Sequence, residues 1–219
     1  MFNVERPELP PPSLADRKSW TGSDVLNSLR KAFHDKCYIC ETKDPLSLNV
    51  EHFDAHQNNI DKMYDWHNLF LACARCNNFK RHRYNNLINC TDPKTDALRL
   101  IRHAPPVTPF AKTVIIEATN DDPRTLQTAS LIKKIFIDDN TSNKDITGTF
   151  LRKRVYKRYA KLLAHINTYI DDDSLDSDKN DAILRIKNLM CKEQEYSAFL
   201  RWAILDSPEL FEVVKDSID

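Results

Sequence analysis

Cys37-Tyr38-Ile39-Cys40 and Cys73-Ala74-Arg75-Cys76 are two Cys-x-x-Cys pairs in a chain of 219 residues with six cysteines. At that frequency the number of such pairs expected by chance is about 0.16, so the spacing has a cause. Together the pairs supply four thiolates, the closed tetrahedral set of a structural Zn²⁺, which leaves no position for a substrate. The 32 residues between the pairs exceed the usual zinc-ribbon gap, so a further unit is inserted between the two knuckles. Cys90 and Cys191 have no partner at this spacing and read as buried thiols.

The insert carries Asn49-Val50-Glu51-His52-Phe53-Asp54 and then Asp65-Trp66-His67-Asn68-Leu69-Phe70-Leu71-Ala72, which runs into the second knuckle and on to Asn77-Asn78-Phe79-Lys80. Trp66, Leu69, Phe70 and Leu71 read as core beneath this unit. From Arg75 to Arg83 there are four cations, Arg75, Lys80, Arg81 and Arg83, and no acid, which suits contact with phosphates.

Over residues 37 to 83 the sequence resembles the HNH endonucleases, whose ββα-metal motif is often braced by two cysteine pairs. The matching features come in that family's order: a knuckle, an acid directly before a histidine, an Asn-Leu, and a second knuckle followed by an asparagine and a lysine. The resemblance implies that His52 is the general base and that Glu51 and Asn77 hold Mg²⁺ or Mn²⁺. It implies that Asn68 bonds across the loop to fix the histidine strand, and that Lys80 meets a phosphate. Hydrolysis of a phosphodiester needs such a division of labour, a base to deprotonate water and a cation to neutralise the leaving oxygen. His56 and His82 are open candidates for auxiliary ligands.

Beyond this unit the composition is informative chiefly by exclusion. Only Gly22 and Gly148 are glycine, and they are isolated, so neither a P-loop nor a dinucleotide fingerprint can be written. The N-terminal residues lack a signal peptide's apolar stretch, and no run has the length of a membrane helix, so the expected setting is cytoplasmic with no membrane contact. Net charge is zero, but residues 171 to 219 hold 13 acids against 6 bases. That balance of −7 leaves +7 for residues 1 to 170.

Prolines 7, 10, 11 and 12 mark residues 1–22 as an extended surface arm. After Thr21-Gly22-Ser23, helical spacing of Val25, Leu26, Leu29 and Phe33 leads the chain to the first knuckle. A domain of 23–104 is expected to hold the nuclease unit, ending where Pro105, Pro106 and Pro109 begin a helical region, 105–219. In that region 125–137, 149–170, 177–189 and 193–214 read as helices and Val114-Ile115-Ile116 as a strand. The expected fold is therefore α+β and mostly helical, a zinc-braced ββα-metal unit with an added helical C-terminal half. The helix that contains Leu151 carries Arg152, Lys153, Arg154, Lys157, Arg158 and Lys161 with no acid among them, and suits either a solvated face or contact with a nucleic-acid backbone.

The whole layout looks like the PtuB-like HNH nucleases of bacterial anti-phage defence, of Septu and retron type. That implies a phosphodiester-hydrolysing effector acting on nucleic acid, DNA or a structured RNA such as tRNA. It also implies a separate PtuA-like ATPase partner, in retrons with a reverse transcriptase and its RNA/DNA. The competing class is a zinc-knuckle nucleic-acid-binding or adaptor module that performs no catalysis.

Overall fold

A computed structural model describes residues 1–45, 47–140 and 146–218. The chain opens with α1 (Pro12–Ala15) and α2 (Ser23–Ala32), then β1 (Leu48–His52), α3 (Ile60–Met63), β2 (Leu69–Cys73) and α4 (Ala74–Lys80). A short α5 (Ala97–Leu100) leads into β3 (Ile101–Ala104) and β4 (Ile115–Ala118). The remainder is helical: α6 (Pro123–Ile137), α7 (Gly148–Ile170), α8 (Asp176–Met190), α9 (Ser197–Leu205) and α10 (Pro208–Val214). The architecture is thus α+β and mostly helical, with two separate antiparallel two-stranded sheets among the described residues, β1–β2 and β3–β4. No described helix is long and apolar enough to cross a membrane.

The expected proline-rich surface arm is corrected by the structure. Met1, Phe2 and Val4 are buried in the main core, and the Val4 amide donates to the Cys90 carbonyl at 2.8 Å. The prolines begin only at residue 7, so the apolar residues before them are free to pack. Pro12 opens a single helical turn, because the first helical position has no use for the missing N–H.

Nor does the chain divide at 104/105. β3 lies before the prolines and β4 after them, and Ile101 pairs with Ala118, so the expected boundary is a loop inside one sheet. The main core gathers residues from Met1 to Val155 together with Tyr196 and Phe199. A second cluster joins Leu98 and Leu162 to Ile186, Met190, Leu200 and Ile204. Proline punctuates the backbone whether or not a core ends there, which is why it misled here.

The helical expectations fare better. Three of the four spans appear within a residue or two of their expected ends, but 193–214 is split into α9 and α10 at Ser207-Pro208, where proline lacks the donor that would continue the helix. Asp122 caps α6 by accepting from the Arg124 amide, and Thr147 caps α7 by accepting from the Phe150 amide. Gly148 lets the start of α7 approach the end of α6, since a Cβ there would lie 2.7 Å from the Phe136 carbonyl oxygen. Arg152 then spans the junction, donating from Nη1 to the Phe136 carbonyl and from Nε to the Ala111 carbonyl. Arg75 on α4 donates to the Asp138 carbonyl at 2.7 Å, so α4 and α7 are both fastened to the C-terminal end of α6.

A candidate metal centre and an adjoining histidine site

Cys37, Cys40, Cys73 and Cys76 converge although 32 residues separate the pairs. Their sulfurs lie within 4.8 Å of one another, all four side chains are buried, and none forms a disulfide. The convergence is produced by β1 and β2: Leu48 pairs with Cys73, while the Tyr38 amide donates to the Leu71 carbonyl and draws the first knuckle onto β2. Cys73 also caps α4, its sulfur accepting from the Cys76 amide. A zinc–sulfur bond of about 2.3 Å implies tetrahedral sulfur–sulfur edges of about 3.8 Å. Cys40 and Cys73 stand 3.9 Å apart, so the donor set fits a structural ion such as Zn²⁺. Burial pushes the Cys37 and Cys76 thiols up, and a cation bound among them would favour their thiolates. Cys90 is buried as expected, whereas Cys191 is half-exposed at the end of α8.

The strand that passes the cysteines ends at His52. Its Nε2 lies 3.0 Å from the Met63 carbonyl oxygen. A carbonyl can only accept, so that contact assigns the proton of a neutral ring to Nε2 and leaves Nδ1 as the basic nitrogen. No described residue is hydrogen-bonded to Nδ1. Burial lowers the His52 pKa below the ordinary histidine value, outweighing the raising effect of the Met63 bond, and so favours the neutral ring. His56 is brought to 4.5 Å from His52, ring centre to ring centre, and Trp20 packs against both. His82 lies on the exposed surface beyond α4 and is not part of this group.

Asn68 is buried beneath the histidine loop and makes three side-chain hydrogen bonds. Its Oδ1 accepts from the Asp54 amide at 2.7 Å, and its Nδ2 donates to the carbonyls of Asp54 and Lys62. These bonds fasten the start of the segment after β1, at Asp54, and α3, at Lys62, to the residue directly before β2, and so fix where Met63 meets His52.

Strand alternation sends Glu51 to the opposite side, toward α4. Its Oε1 receives the Tyr38 hydroxyl at 2.9 Å and pairs with Lys80 Nζ at 2.8 Å, both Glu51 and Lys80 being buried. Burial raises the Glu51 pKa, against the lowering effect of Lys80. Oε2 is buried without a hydrogen-bond partner. Asn77 is half-exposed on α4.

Two of the four expected phosphate-contacting cations are corrected by this geometry. Lys80 Nζ is turned inward to Glu51 and to the carbonyls of His52 and Phe53, at 3.0 and 2.7 Å. Arg75 is buried against the Phe79 ring and the Asp138 carbonyl. Both are turned into the protein, Lys80 onto a carboxylate and two carbonyls and Arg75 onto one carbonyl with its Nε and Nη1 buried without a partner, an outcome invisible to charge counting. Arg81 and Arg83 are exposed.

Three contributors had no signature in the sequence. Met63 acts through its backbone, Trp20 comes from the supposed arm, and Tyr38, inside the first knuckle, reaches Glu51. Neither the models of known protein families nor the curated proteins give a match to this chain.

Proposed function

We propose that the protein is a metal-dependent phosphodiester hydrolase of HNH type. The observation that carries this reading is His52: its Nε2 is held by a backbone carbonyl, and Nδ1, which has no hydrogen bond among the described residues, is the nitrogen that would take a proton from water. General-base catalysis requires that arrangement, and the Asn68 bonds provide the rigidity it needs. The four-cysteine cluster fixes one end of the same two strands, so a short unit keeps its geometry without a large core of its own.

Glu51 and Asn77 would hold Mg²⁺ or Mn²⁺, with the unpartnered Glu51 Oε2 as the available buried oxygen. When bound, such an ion supplies charge neutralisation at the scissile phosphate and the leaving oxygen. Lys80 holds the Glu51 carboxylate in place from the other oxygen and so acts as a positioning residue, while Arg81 and Arg83 remain to meet phosphates. Resemblance alone supports the wider setting, a defence effector working with a PtuA-like ATPase. Co-expression with such an ATPase, expected to give a co-purifying complex, tests that part separately.

One observation favours the non-catalytic alternative, a zinc-knuckle binding or adaptor module: the Glu51 charge is already balanced by Lys80. The two readings separate in a nicking assay on plasmid DNA and on structured RNA with Mg²⁺ or Mn²⁺. Cleavage that disappears in His52→Ala, with zinc content unchanged, supports the nuclease. Wild-type protein inert on both substrates, with and without the ATPase, leaves the binding module.

A further inference from the structure

From Ile146 to Ile170 the chain has no acidic residue, and α7 carries six cations in that span. Arg152 is spent inside the protein on the end of α6. The others are disposed differently. Lys157 and Lys161 are exposed, one helical turn apart at about 6 Å along the axis, and form no ion pair among the described residues. Arg158 donates to the Gln194 side chain through Nη2, while its Nε is buried without a partner. Arg154 pairs with Glu195, and its guanidinium lies 5.8 Å from the centres of both the Phe150 and Tyr196 rings.

These residues surround a cavity of about 390 Å³ lined by Phe150, Arg154, Lys157, Arg158, Lys161 and Glu195. Phe150 keeps 38 % of its surface exposed at this cavity, and a little further along, the Lys153 ammonium sits over the ring of Phe110, itself 79 % exposed. A solvated helix face needs cations but has no use for exposed aromatic rings among them. Cations that track a backbone, interleaved with rings on which unpaired bases stack, are the chemistry of a single-strand binding surface. A duplex offers no free base face to such rings.

We propose that this face of α7 binds single-stranded nucleic acid, with phosphates on Lys157, Lys161 and Arg158 and a base stacked on Phe150. The proposal deepens the nuclease reading, on which it rests for the identity of the strand, by giving the substrate a surface outside the His52 unit. The surface is rigidly related to that unit, because α7 and α4 are tied to the same end of α6 through Arg152 and Arg75.

The test is fluorescence anisotropy with labelled single-stranded DNA and RNA of about 20 nucleotides, without added divalent ions, in a His52→Ala background. Lys157→Glu/Lys161→Glu should weaken binding at least about tenfold near 0.1 M salt, and Lys157→Ala/Lys161→Ala should make the salt slope shallower by about 1.4, or 0.7 for each lost phosphate contact. Phe150→Leu, which keeps the apolar contact and removes the ring, should weaken binding by about fivefold or more. Folded variants that bind within twofold of the parent overturn the proposal. So does a loss confined to an acidic polypeptide such as polyglutamate, which would make the surface a protein-docking face. The two readings fail separately: protein that binds through α7 but never cleaves removes the nuclease and leaves this site. Cleavage with undiminished kcat/KM in Lys157→Glu/Lys161→Glu removes this site and leaves the nuclease.

Discussion

The β1–β2 hairpin has two ends of opposite character. At one end four cysteine sulfurs face each other in a buried cluster that a single ion would close completely. At the other, His52 is half-buried, held at Nε2 by the Met63 carbonyl, with no hydrogen bond to its second nitrogen among the described residues. The same two strands build both, and the difference lies in the segment that leaves each end. The cysteine end continues directly into α4, which covers it. The histidine end continues into a segment that Asn68 pins back at Asp54 and Lys62. The closed end thus gathers four ligand atoms that a single ion would use up, whereas the histidine end keeps a ring nitrogen with no hydrogen bond among the described residues.

The largest expected effect breaks the closed end. Cys40→Ser or Cys76→Ser should unfold the unit, because thiolate ligation in small zinc modules is worth on the order of 10 kcal/mol. Elemental analysis should find about one zinc per folded wild-type chain and none in the variants; a variant that stays folded and retains its zinc would show that the cluster is not the brace.

Breaking the open end should leave the closed end untouched. For His52→Ala the expectation is a loss of cleavage of about 10²- to 10⁴-fold with unchanged zinc content and melting temperature. Retained activity would place the base elsewhere.

Between the two ends, the Glu51–Lys80 pair joins β1 to α4. Lys80→Met should cost about 3–5 kcal/mol by stranding a buried carboxylate, and the added change Glu51→Gln should recover much of it, as read from denaturant unfolding. If Lys80→Met instead leaves stability intact while weakening nucleic-acid binding, Lys80 serves phosphate and the inward geometry is wrong.

The smallest effect sharpens the contrast between histidines. His103 is fully buried, its Nδ1 on the Ile101 carbonyl and its ring against Phe199, with the Met1 amine and Glu41 the charged groups that face it. Burial and the Met1 amine push its pKa down to about 3. The unfolded chain, with an ordinary value near 6.5, then binds the extra proton first, so stability is full above about pH 6.5 and falls as pH drops toward 3. This contribution should be of the order of a few kcal/mol at its acid limit, and His103→Phe should flatten the dependence. An unchanged pH profile in that variant would assign the acid sensitivity to other groups.

Much of this molecule was legible in the residues. Amphipathic spacing located α6, α7 and α8 because a helix of fifteen residues or more repeats its buried face several times, and paired cysteines announced their convergence because chance so seldom supplies two such pairs. The split between α9 and α10 shows the limit: the apolar pattern ran on, and one proline overrode it. His52 and Asn68 were singled out by the resemblance of residues 37 to 83 to a known motif, since the types and order of those residues are visible along the chain.

What only the tertiary structure decided is which charges are spent indoors and which segments share a core. Arg75 and Lys80 read as surface cations beside Arg81 and Arg83, yet two are buried and two are not. The first four residues read as part of an arm, yet three of them sit in the main core. Both outcomes depend on partners 27 to 86 residues away: the Phe53 carbonyl for Lys80, the Asp138 carbonyl for Arg75, Cys90 for Val4. The reason is physical. Periodicity and ligand spacing are properties of neighbouring residues and are written in the chain, whereas desolvating a charge or an apolar end is favourable only against a particular surface, and that surface exists only once distant segments have met.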